Sequence, residues 1–295
     1  MKETQKLLVT GASGLLGNWT VKLSERDNLV TPTDVIEPTH PNAVKADITD
    51  SEEVRLLFRK VKPDTVIHTA SETNVDRCET EKERAWKVNV EGTRNIAEGC
   101  RESGAKIVCI STDYVFDGEK GLYTEEDAPN PIDFYGLTKL EGERQVMRRC
   151  KNWAVLRTSV LYGRHPSKQD FATWVINKLK QHQEITVVDD HFNTPTLAEN
   201  LAAMALEVAA HDLQGVFHTS GCERISRCDF AKRIAEVFEL DSGLVKPIKM
   251  SELKAWIAKR PKDSSLNTAK IQGQLKTKPL SINEGLSKLK EELKA

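Results

Sequence analysis

Short apolar runs alternate with amphipathic stretches through the first half of the chain. The runs are KLLVTGAS, NLVTPTDV, DTVIHTAS, AKIVCISTDYVF and WAVLRTSVLYG. Their length and β-branched residues predict strands, and the segments between them carry helical periodicity, as Val54, Leu57 and Phe58 do in SEEVRLLFRK. Strands that alternate with helices are typical of a parallel sheet covered on both faces. We therefore predict an α/β fold with a doubly wound parallel sheet.

Helical patterns dominate the chain after about residue 163. The stretch FATWVINKLK repeats its apolar positions at helical spacing, which predicts a helix. Two pairs, Thr196 with Glu199 and Ser281 with Glu284, fit the capping box that begins a helix. This half of the chain holds too few strand patterns to extend the sheet far.

The change of pattern predicts two domains. Residues 1–163 are expected to form the doubly wound domain, and residues 164–295 a smaller, mostly helical substrate lobe over the carboxyl edge of the sheet. We expect the chain to return to the first domain within residues 187–220. A chain of 295 residues, 39% of them hydrophobic, can bury a core of this size.

Charge and cysteine usage exclude several classes of partner. The 43 basic and 44 acidic residues leave a formal net charge of −1, so we expect no nucleic acid and no membrane surface as a partner. No apolar run could cross a membrane, and the N-terminus lacks the pattern of a signal peptide. The six cysteines are scattered without zinc spacing, which predicts reduced thiols, a cytoplasmic protein and no metal site.

A glycine-rich loop, GASGLLG, follows the first predicted strand and leads into helical sequence. Glycines at these spacings permit a tight turn and let backbone N–H groups and a helix N-terminus approach a pyrophosphate. The alternative is an ordinary strand-to-helix turn. We predict a Rossmann-type site for NADPH or NADH that uses Gly11, Ser13, Gly14, Leu15, Leu16 and Gly17.

An acidic residue ends the second predicted strand. Asp34 lies seventeen residues past Gly17, close to where a carboxylate binds the adenosine ribose in dinucleotide sites. Such a charge would repel a 2′-phosphate and favour NADH over NADPH. The alternative is a solvated strand end. Asp47 and Ile48, in KADITD, could flank the adenine or belong to an ordinary loop.

Tyr135 precedes Lys139 by four residues in a predicted helix. Positions i and i+4 lie on one helix face, so both side chains point the same way. An ammonium stabilises a phenolate, and we expect Lys139 to lower the pKa of Tyr135 toward neutral pH. The alternative is a surface pair. The strand upstream ends in residues 111–114, STDY, at the edge where parallel sheets bind ligands, and a hydroxyl there can hold a substrate carbonyl.

Six motifs occur in one order along nearly the whole chain: GASGLLG, STDYVFDG, YGLTKLEGE, RTSVLYG, DDHFNTPT and RPKDSSL. Together they resemble the dTDP-4-dehydrorhamnose reductase family of the extended short-chain dehydrogenases. The resemblance implies that Thr112, Tyr135 and Lys139 are catalytic, and that Lys139 also bonds the nicotinamide ribose. It further implies that the cofactor is lined after the fourth strand by Thr69, Ala70 and Ser71.

The resemblance gives roles to other residues too. Asn89, on an inward stripe of its predicted helix, would hold a water that relays protons to the lysine; the alternative is a helix-to-sheet hydrogen bond. Asp113 and Tyr114 are candidates for binding sugar hydroxyls. Arg260 would bind the diphosphate, or else be a capping or salt-bridged arginine. Val160, which would face the sugar, stands where these reductases commonly carry tryptophan.

These residues predict an NAD(P)H-dependent reductase of a nucleotide-linked 4-keto-6-deoxy sugar, above all dTDP-4-dehydro-β-L-rhamnose, in a monomer or homodimer. A dehydratase is disfavoured because Tyr114 stands where those enzymes typically carry a glutamate. Two alternatives stay open. One is a nucleotide-sugar 4-epimerase, which uses the same tyrosine and lysine. The other is a regulatory protein, since the chain also resembles the β subunit of methionine adenosyltransferase.

Overall fold

Strands and helices alternate along the first half of the chain, as its pattern predicts. The computed structural model describes residues 4–36, 40–165 and 169–294. The strands are β1 (Lys6–Thr10), β2 (Leu29–Asp34), β3 (Val44–Lys45), β4 (Thr65–His68), β5 (Lys106–Thr112), β6 (Trp153–Thr158), β7 (Leu161–Tyr162), β8 (Ile185–Val188), β9 (Phe192–Asn193), β10 (Thr196–Leu197), β11 (Gly215–His218), β12 (Ile225–Ser226) and β13 (Val245–Ile248). The α-helices are α1 (Leu15–Ser24), α2 (Ser51–Val61), α3 (Val75–Thr80), α4 (Lys82–Trp86), α5 (Thr93–Ser103), α6 (Phe134–Arg149), α7 (Phe171–Lys180), α8 (Ala198–Ala210), α9 (Arg227–Val237), α10 (Ala269–Gln272) and α11 (Ile282–Glu292).

Seven strands form one sheet in the order β3-β2-β1-β4-β5-β6-β11, and each neighbouring pair is parallel. The chain moves outward from β1 to β3 and then crosses back to β4, where Thr10 lies opposite His68. At such a reversal the connections leave the two strands in opposite directions, which opens a crevice at their carboxyl ends. The fold therefore places a ligand crevice between the ends of β1 and β4.

Alternate residues of the central strands face opposite sides of the sheet. Val9 joins an apolar cluster with helices α1 and α8, whereas Leu8 joins a second cluster with α2 and α5. The predicted inward positions of α2, Val54, Leu57 and Phe58, are buried in the second cluster. The prediction of a parallel sheet covered by helices on both faces is confirmed.

Helices α7, α9 and α11 enclose a separate apolar cluster that includes Ile176, Phe230 and Leu286. The short strands β8 and β13 pair in parallel beside it. Helix α8, however, packs against α1, and β11 adds a seventh strand beside β6. The later residues thus extend the sheet by one strand, and the domain division at residue 163 stays a prediction.

One of the two predicted capping boxes is correct. Ser281 accepts from the Glu284 N–H while the Glu284 carboxylate accepts from Ser281, at the start of α11. The Thr196–Glu199 box is wrong, because the N-cap of α8 is Leu197, whose side chain makes no cap. The Thr196 hydroxyl instead donates to the Ser159 carbonyl at 2.7 Å. Pairing of β10 with β7 draws Thr196 into this junction.

A buried ion pair joins helix α6 to the sheet. The Arg157 guanidinium donates through Nε and Nη2 to the two carboxylate oxygens of Glu143, at 3.0 and 2.7 Å. The two side chains are 4% and 1% exposed. Ser111 of β5 also donates to Glu143, and the guanidinium lies over the Phe116 ring at 5.2 Å. Because both charges are paired, α6 is held firmly against β5 and β6.

We expect Arg157→Met to destabilise the protein by about 3–5 kcal/mol, because Glu143 would keep a buried charge without its partner. Arg144→Met is the matched control, since it breaks an exposed pair with Glu141 on the same helix and should cost less than about 1 kcal/mol. Urea unfolding measures both losses. The double variant Arg157→Met/Glu143→Leu should recover most of the larger loss. Equal and small losses in the two single variants would contradict the role given to this pair.

Candidate active site

A cavity of about 880 Å³ lies at the carboxyl ends of the sheet strands. Most residues predicted from the sequence meet there: Gly11, Gly14, Leu15, Leu16, Gly17, Asp34, Asp47, Ile48, Thr69, Ala70, Ser71, Thr112, Asp113, Tyr135, Lys139 and Val160. Four predicted residues do not line this cavity: Ser13, Asn89, Tyr114 and Arg260. The fold thus brings the predicted cofactor, catalytic and sugar-facing residues into one space.

The glycine loop at one end of the cavity is packed too tightly for side chains. Gly11 has φ +70°, and a Cβ there would lie 2.6 Å from the Ala70 nitrogen. A Cβ on Gly17 would lie 2.1 Å from the Gly11 carbonyl oxygen. Helix α1 begins immediately after Gly14, its N-cap, so the free N–H groups of its first turn lie beside the loop. Such a cradle fits a phosphate group.

The carboxylate of Asp34 binds the glycine loop. Its Oδ2 accepts from the Ser13 N–H at 3.0 Å, and its Oδ1 accepts from the Val35 N–H at 2.8 Å. Ser13 therefore contributes to the site through its backbone. Asp34 also lines the cavity, so its charge stands at the position predicted for a ribose contact.

A second loop, after β3, lines the cavity beside Asp34. Asp47 accepts from the Thr49 N–H at 2.8 Å, and the Ile48 carbonyl accepts from Asn95 at 2.9 Å. The Ile48 side chain packs closely on Gly92, since a Cβ added to Gly92 would lie 2.7 Å from Ile48 Cδ1. The loop is held in place by these contacts, and its proposed contact with an adenine ring stays a prediction.

Asn89 fastens the loop after β4 to helix α6. It lies in a π-helical turn, Lys87–Gly92, and is buried. Its Oδ1 accepts from Ser71 Oγ at 2.9 Å and from the Glu72 N–H at 2.8 Å. Its Nδ2 donates to the Glu72 carbonyl and to Thr138 Oγ1, both at 3.0 Å. These contacts agree with the alternative that Asn89 makes structural hydrogen bonds, although its partners belong to a loop and a helix rather than to the sheet. The proton-relay role of Asn89 stays a prediction.

Helix α6 presents Tyr135 and Lys139 to the cavity. Asp133 caps the helix by accepting from the Gly136 N–H at 2.8 Å. Both Tyr135 and Lys139 are buried, and the Lys139 ammonium donates to the Ile110 carbonyl at 2.8 Å. Thr112, the last residue of β5, lines the same cavity. The predicted catalytic hydroxyl, phenol and ammonium thus come together from a strand and a helix.

The predicted effect of Lys139 on the tyrosine is not the dominant one. Burial raises the pKa of Tyr135 above its ordinary value, and a hydrogen bond with Thr112, rather than Lys139, is the main opposing influence. The nearby charge of Asp113 raises the pKa further. Burial also lowers the pKa of Lys139. The expectation of a lowered tyrosine pKa is therefore wrong for the protein alone, because removal from water costs the phenolate more than the hydrogen bond with Thr112 returns.

The carboxylate of Asp113 joins three segments of the chain. Its Oδ1 accepts from Thr112 Oγ1 at 3.0 Å, and its Oδ2 accepts from Ser159 Oγ at 2.7 Å and from Ser264. Burial raises its pKa, while these hydroxyl donors oppose the rise. The neighbouring Tyr114 packs edge-on against Tyr135, with ring centroids 5.8 Å apart. Asp113 therefore has an architectural part in the site, and its contact with sugar hydroxyls stays a prediction.

Val160 forms the cavity wall in a strained conformation. Its φ is +43°, which is rare for a β-branched residue. The Thr196 N–H donates to the Val160 carbonyl at 3.1 Å, and Thr196 also binds the preceding Ser159 carbonyl. These two bonds hold the strained turn at the place predicted to face the sugar.

Arg260 makes the contacts of a salt-bridged arginine. It pairs with Asp76 at 3.0 Å and donates to the Ala258 carbonyl at 2.9 Å. Its guanidinium also lies over the Trp256 ring, 5.1 Å from the centroid. The Asp76 carboxylate accepts from the N–H groups of residues 257 and 258, so Arg260 and Asp76 together shape this turn. The alternative prediction for Arg260, a salt-bridged arginine, accounts for these contacts.

Several residues of the rim were not predicted. The carboxylate of Glu72 is buried and pairs with Arg77 and with Arg84, the latter at 3.6 Å. His165 Nε2 lies 3.0 Å from the Ser13 carbonyl oxygen, at the other side of the cavity. The arginines lie on two separate short helices, so no spacing in the sequence points to a shared partner.

Within the part of the chain that the structure describes, no helix combines the length and apolarity needed to cross a membrane. The same residues contain no group of three histidine, cysteine, aspartate or glutamate side chains placed to hold a metal ion. All six cysteines have free thiols, and five of them are buried.

A parallel sheet with a glycine loop at its reversal point, and a tyrosine and lysine one helical turn apart, define the extended short-chain dehydrogenase/reductase class. The profile of the RmlD substrate binding domain matches residues 5–295, and the chain belongs to that family. The chain is 31% identical in sequence to the dTDP-4-dehydrorhamnose reductase of Bacillus anthracis, which was crystallised in complex with NADP. The TM-score is 0.91, with 98% of this chain and 100% of that chain covered.

Two curated relatives have names that denote different activities. Methionine adenosyltransferase 2 subunit beta of Mus musculus is 33% identical over 276 residues, which span 91% of this chain and 82% of the mouse protein. A probable low-salt glycan biosynthesis reductase of Haloferax volcanii is 34% identical over 288 residues, 95% of this chain and 96% of the relative. The family therefore includes both reductases and a subunit of another enzyme.

We expect Asn89→Ala to lower the free energy of unfolding by at least about 2 kcal/mol, because each buried partner left unsatisfied costs about 1–3 kcal/mol. Asn95→Ala is the control, since it removes one amide hydrogen bond, to Ile48, from the adjoining helix and should cost about 1 kcal/mol. Denaturant titrations of the two variants give the comparison. Equal losses of unfolding free energy would mean that the four hydrogen bonds of Asn89 stabilise the protein no more than the single hydrogen bond of Asn95.

Proposed function

We propose that this protein is an NAD(P)H-dependent reductase of the 4-keto group of a nucleotide-linked 6-deoxy sugar. The observation that carries the proposal is the convergence of Thr112, Tyr135 and Lys139 in one cavity with the glycine loop. This set has the parts that carbonyl reduction needs: a proton donor, a hydrogen-bond donor for the oxygen and a buried cation. The reductases among the relatives support the same chemistry.

The cavity fits a nicotinamide dinucleotide, NADPH or NADH. The tight turn at Gly11 and Gly17 and the start of α1 would hold the pyrophosphate, and Asp34 would accept from the ribose hydroxyls. Lys139, at the carboxyl end of the sheet, would hold the nicotinamide ribose. When bound, the cofactor supplies the hydride for the keto carbon.

Tyr135 would give its proton to the carbonyl oxygen as negative charge develops there. Because burial raises its pKa, the phenol stays protonated at neutral pH and is ready to act as a donor. The Thr112 hydroxyl, which donates to Asp113 Oδ1 at 3.0 Å, would turn its hydrogen to the same oxygen when the substrate binds. Lys139, anchored on the Ile110 carbonyl, would stabilise the phenolate that remains after transfer.

The favoured substrate is dTDP-4-dehydro-β-L-rhamnose. Asp113 and Val160, which line the cavity, are the proposed contacts for the sugar, whereas Tyr114 does not line it. The small side chain of Val160 would accept substituents that a larger residue excludes. The diphosphate contact of Arg260 stays a prediction, because Asp76 and the Ala258 carbonyl engage only part of its five-donor guanidinium.

A second candidate is a regulatory subunit, which the 33% identity to the mouse protein favours. Such a protein would use the same cavity to bind NAD(P)H and would consume none of it. It would also need a surface for a methionine adenosyltransferase. A 4-epimerase, the third alternative, would return its cofactor unchanged and would show no net oxidation.

The first test is the loss of NAD(P)H absorbance with dTDP-4-dehydrorhamnose and other nucleotide keto sugars. We expect turnover in the wild type, and a fall of about 10²-fold or more in kcat for Tyr135→Phe, with cofactor affinity retained. Tyr162→Phe is the control, because it removes a buried phenol hydroxyl that does not line the cavity. Cofactor binding without turnover on any keto sugar, together with copurification of a methionine adenosyltransferase, would favour the regulatory subunit instead.

A second test concerns cofactor choice. Asp34→Asn should shift preference toward NADPH, because it keeps an acceptor for the Ser13 N–H but loses the charge that repels a 2′-phosphate. The ratio of kcat/KM for the two cofactors measures the shift. Asp50→Asn, which neutralises a helix cap outside the cavity lining, should leave the ratio unchanged. A strong NADPH preference that persists in Asp34→Asn would place Asp34 away from the ribose.

A further inference from the structure

Arg227, the first residue of α9, has a guanidinium that the protein does not fully satisfy. The guanidinium lies over the Phe171 ring, 4.8 Å from the centroid. Its Nη1 is buried and has no hydrogen-bond partner among the described residues. A buried guanidinium without hydrogen-bond acceptors is costly, so a site with this geometry favours an anionic ligand.

The nearby acidic groups are already engaged elsewhere. Asp113 is close enough to influence the pKa of Arg227, but its carboxylate accepts from hydroxyls of Thr112, Ser159 and Ser264. Asp76 is paired with Arg260 and with two backbone N–H groups. Among the described carboxylates, none forms an ion pair with Arg227. Within the described chain, the Arg227 guanidinium therefore has no carboxylate partner and can receive an anionic ligand.

A second unsatisfied polar side chain lies beside it. The Arg227 N–H donates to the His191 carbonyl at 2.9 Å, and His191 Nδ1 is also buried without a partner in the described chain. Burial and the charge of Arg227 lower the pKa of His191, so the imidazole is neutral. A neutral imidazole can donate a hydrogen bond to an oxyanion without a further charge.

This corner adjoins the sugar-facing end of the cavity. Asp170, which lines the cavity, directly precedes Phe171, and Val160 packs in the same apolar cluster as Phe171. Asp113, which also lines the cavity, is within electrostatic range of the guanidinium. Arg227 and His191 do not line the cavity themselves, so a ligand would approach them by reaching from Tyr135 past Val160.

We propose that Arg227 binds the diphosphate of the substrate, with His191 as a neutral second donor. The planar guanidinium matches phosphate oxygens in geometry and charge. The identity of the ligand as a nucleotide sugar rests on the proposed function, whereas the anion site itself does not. Arg227 is thus a specificity-determining residue for nucleotide-linked substrates.

The test uses the full chain saturated with NADH, so that the glycine loop is already filled. Calorimetric titration with inorganic pyrophosphate, and separately with UDP and dTDP, measures binding without any turnover. We expect Arg227→Gln to weaken all three ligands about ten-fold or more, with NADH affinity unchanged. Arg227→Lys keeps the charge and should recover part of the loss. Arg233→Gln is the control, because that exposed arginine on the same helix pairs only with Glu236 and Asn283 among the described residues.

Thermal unfolding separates a ligand-binding role of Arg227 from a purely structural role. Because the unsatisfied guanidinium is costly in the free protein, Arg227→Met should leave the Tm without anion unchanged or higher, yet abolish the rise in Tm that pyrophosphate produces in the wild type. A lower Tm with unchanged pyrophosphate affinity would overturn the proposal, as would equal affinity in wild type and Arg227→Gln. Pyrophosphate binding lost in Arg227→Gln, without turnover of any keto sugar by the wild type, would retain the anion site and reject the reductase.

Discussion

The buried ion pair between Glu143 and Arg157 fixes the position of the candidate site. Glu143 lies on the same helix as Tyr135 and Lys139, and Arg157 and Ser111 come from the two strands beneath it. With two charged hydrogen bonds and an added hydroxyl, α6 cannot slide along the sheet without exposing a charge to an apolar interior. The phenol and the ammonium therefore keep their positions relative to Thr112 at the end of β5. A catalytic geometry of this kind depends on such rigid support.

Asp113 plays a corresponding part at the junction of the two halves of the chain. Its carboxylate accepts from the end of β5, from the turn before Val160 and from Ser264 near the C-terminus. Residues more than a hundred positions apart thus share one buried acceptor. The cavity wall at Val160 and the end of β5 are consequently fixed to each other, and strain at Val160 is sustained by the surrounding hydrogen bonds.

Burial also decides which groups can exchange protons. It lowers the pKa values of three histidines, and a cation beside each one adds to the effect; the pairs are His68 with Lys139, His191 with Arg227 and His218 with Arg157. For His68 and His218 the pKa falls to about 3. These imidazoles are neutral at physiological pH and are poor proton donors there. None of these three histidines lines the cavity, whereas the phenol of Tyr135 lines it together with Thr112.

Local patterns in the sequence determined the strands and helices of the sheet, the glycine loop, the capping box of Ser281 and the shared helix face of Tyr135 and Lys139. Each depends on residues a few positions apart, so periodicity and spacing were enough. Tertiary structure alone decided the direction of the tyrosine pKa, the addition of β11, the hydrogen bond of the Thr196 hydroxyl and the pairing of Arg260 with Asp76. Burial and the identity of a charge's partner depend on residues far apart in the chain, and no local pattern records which of them meet.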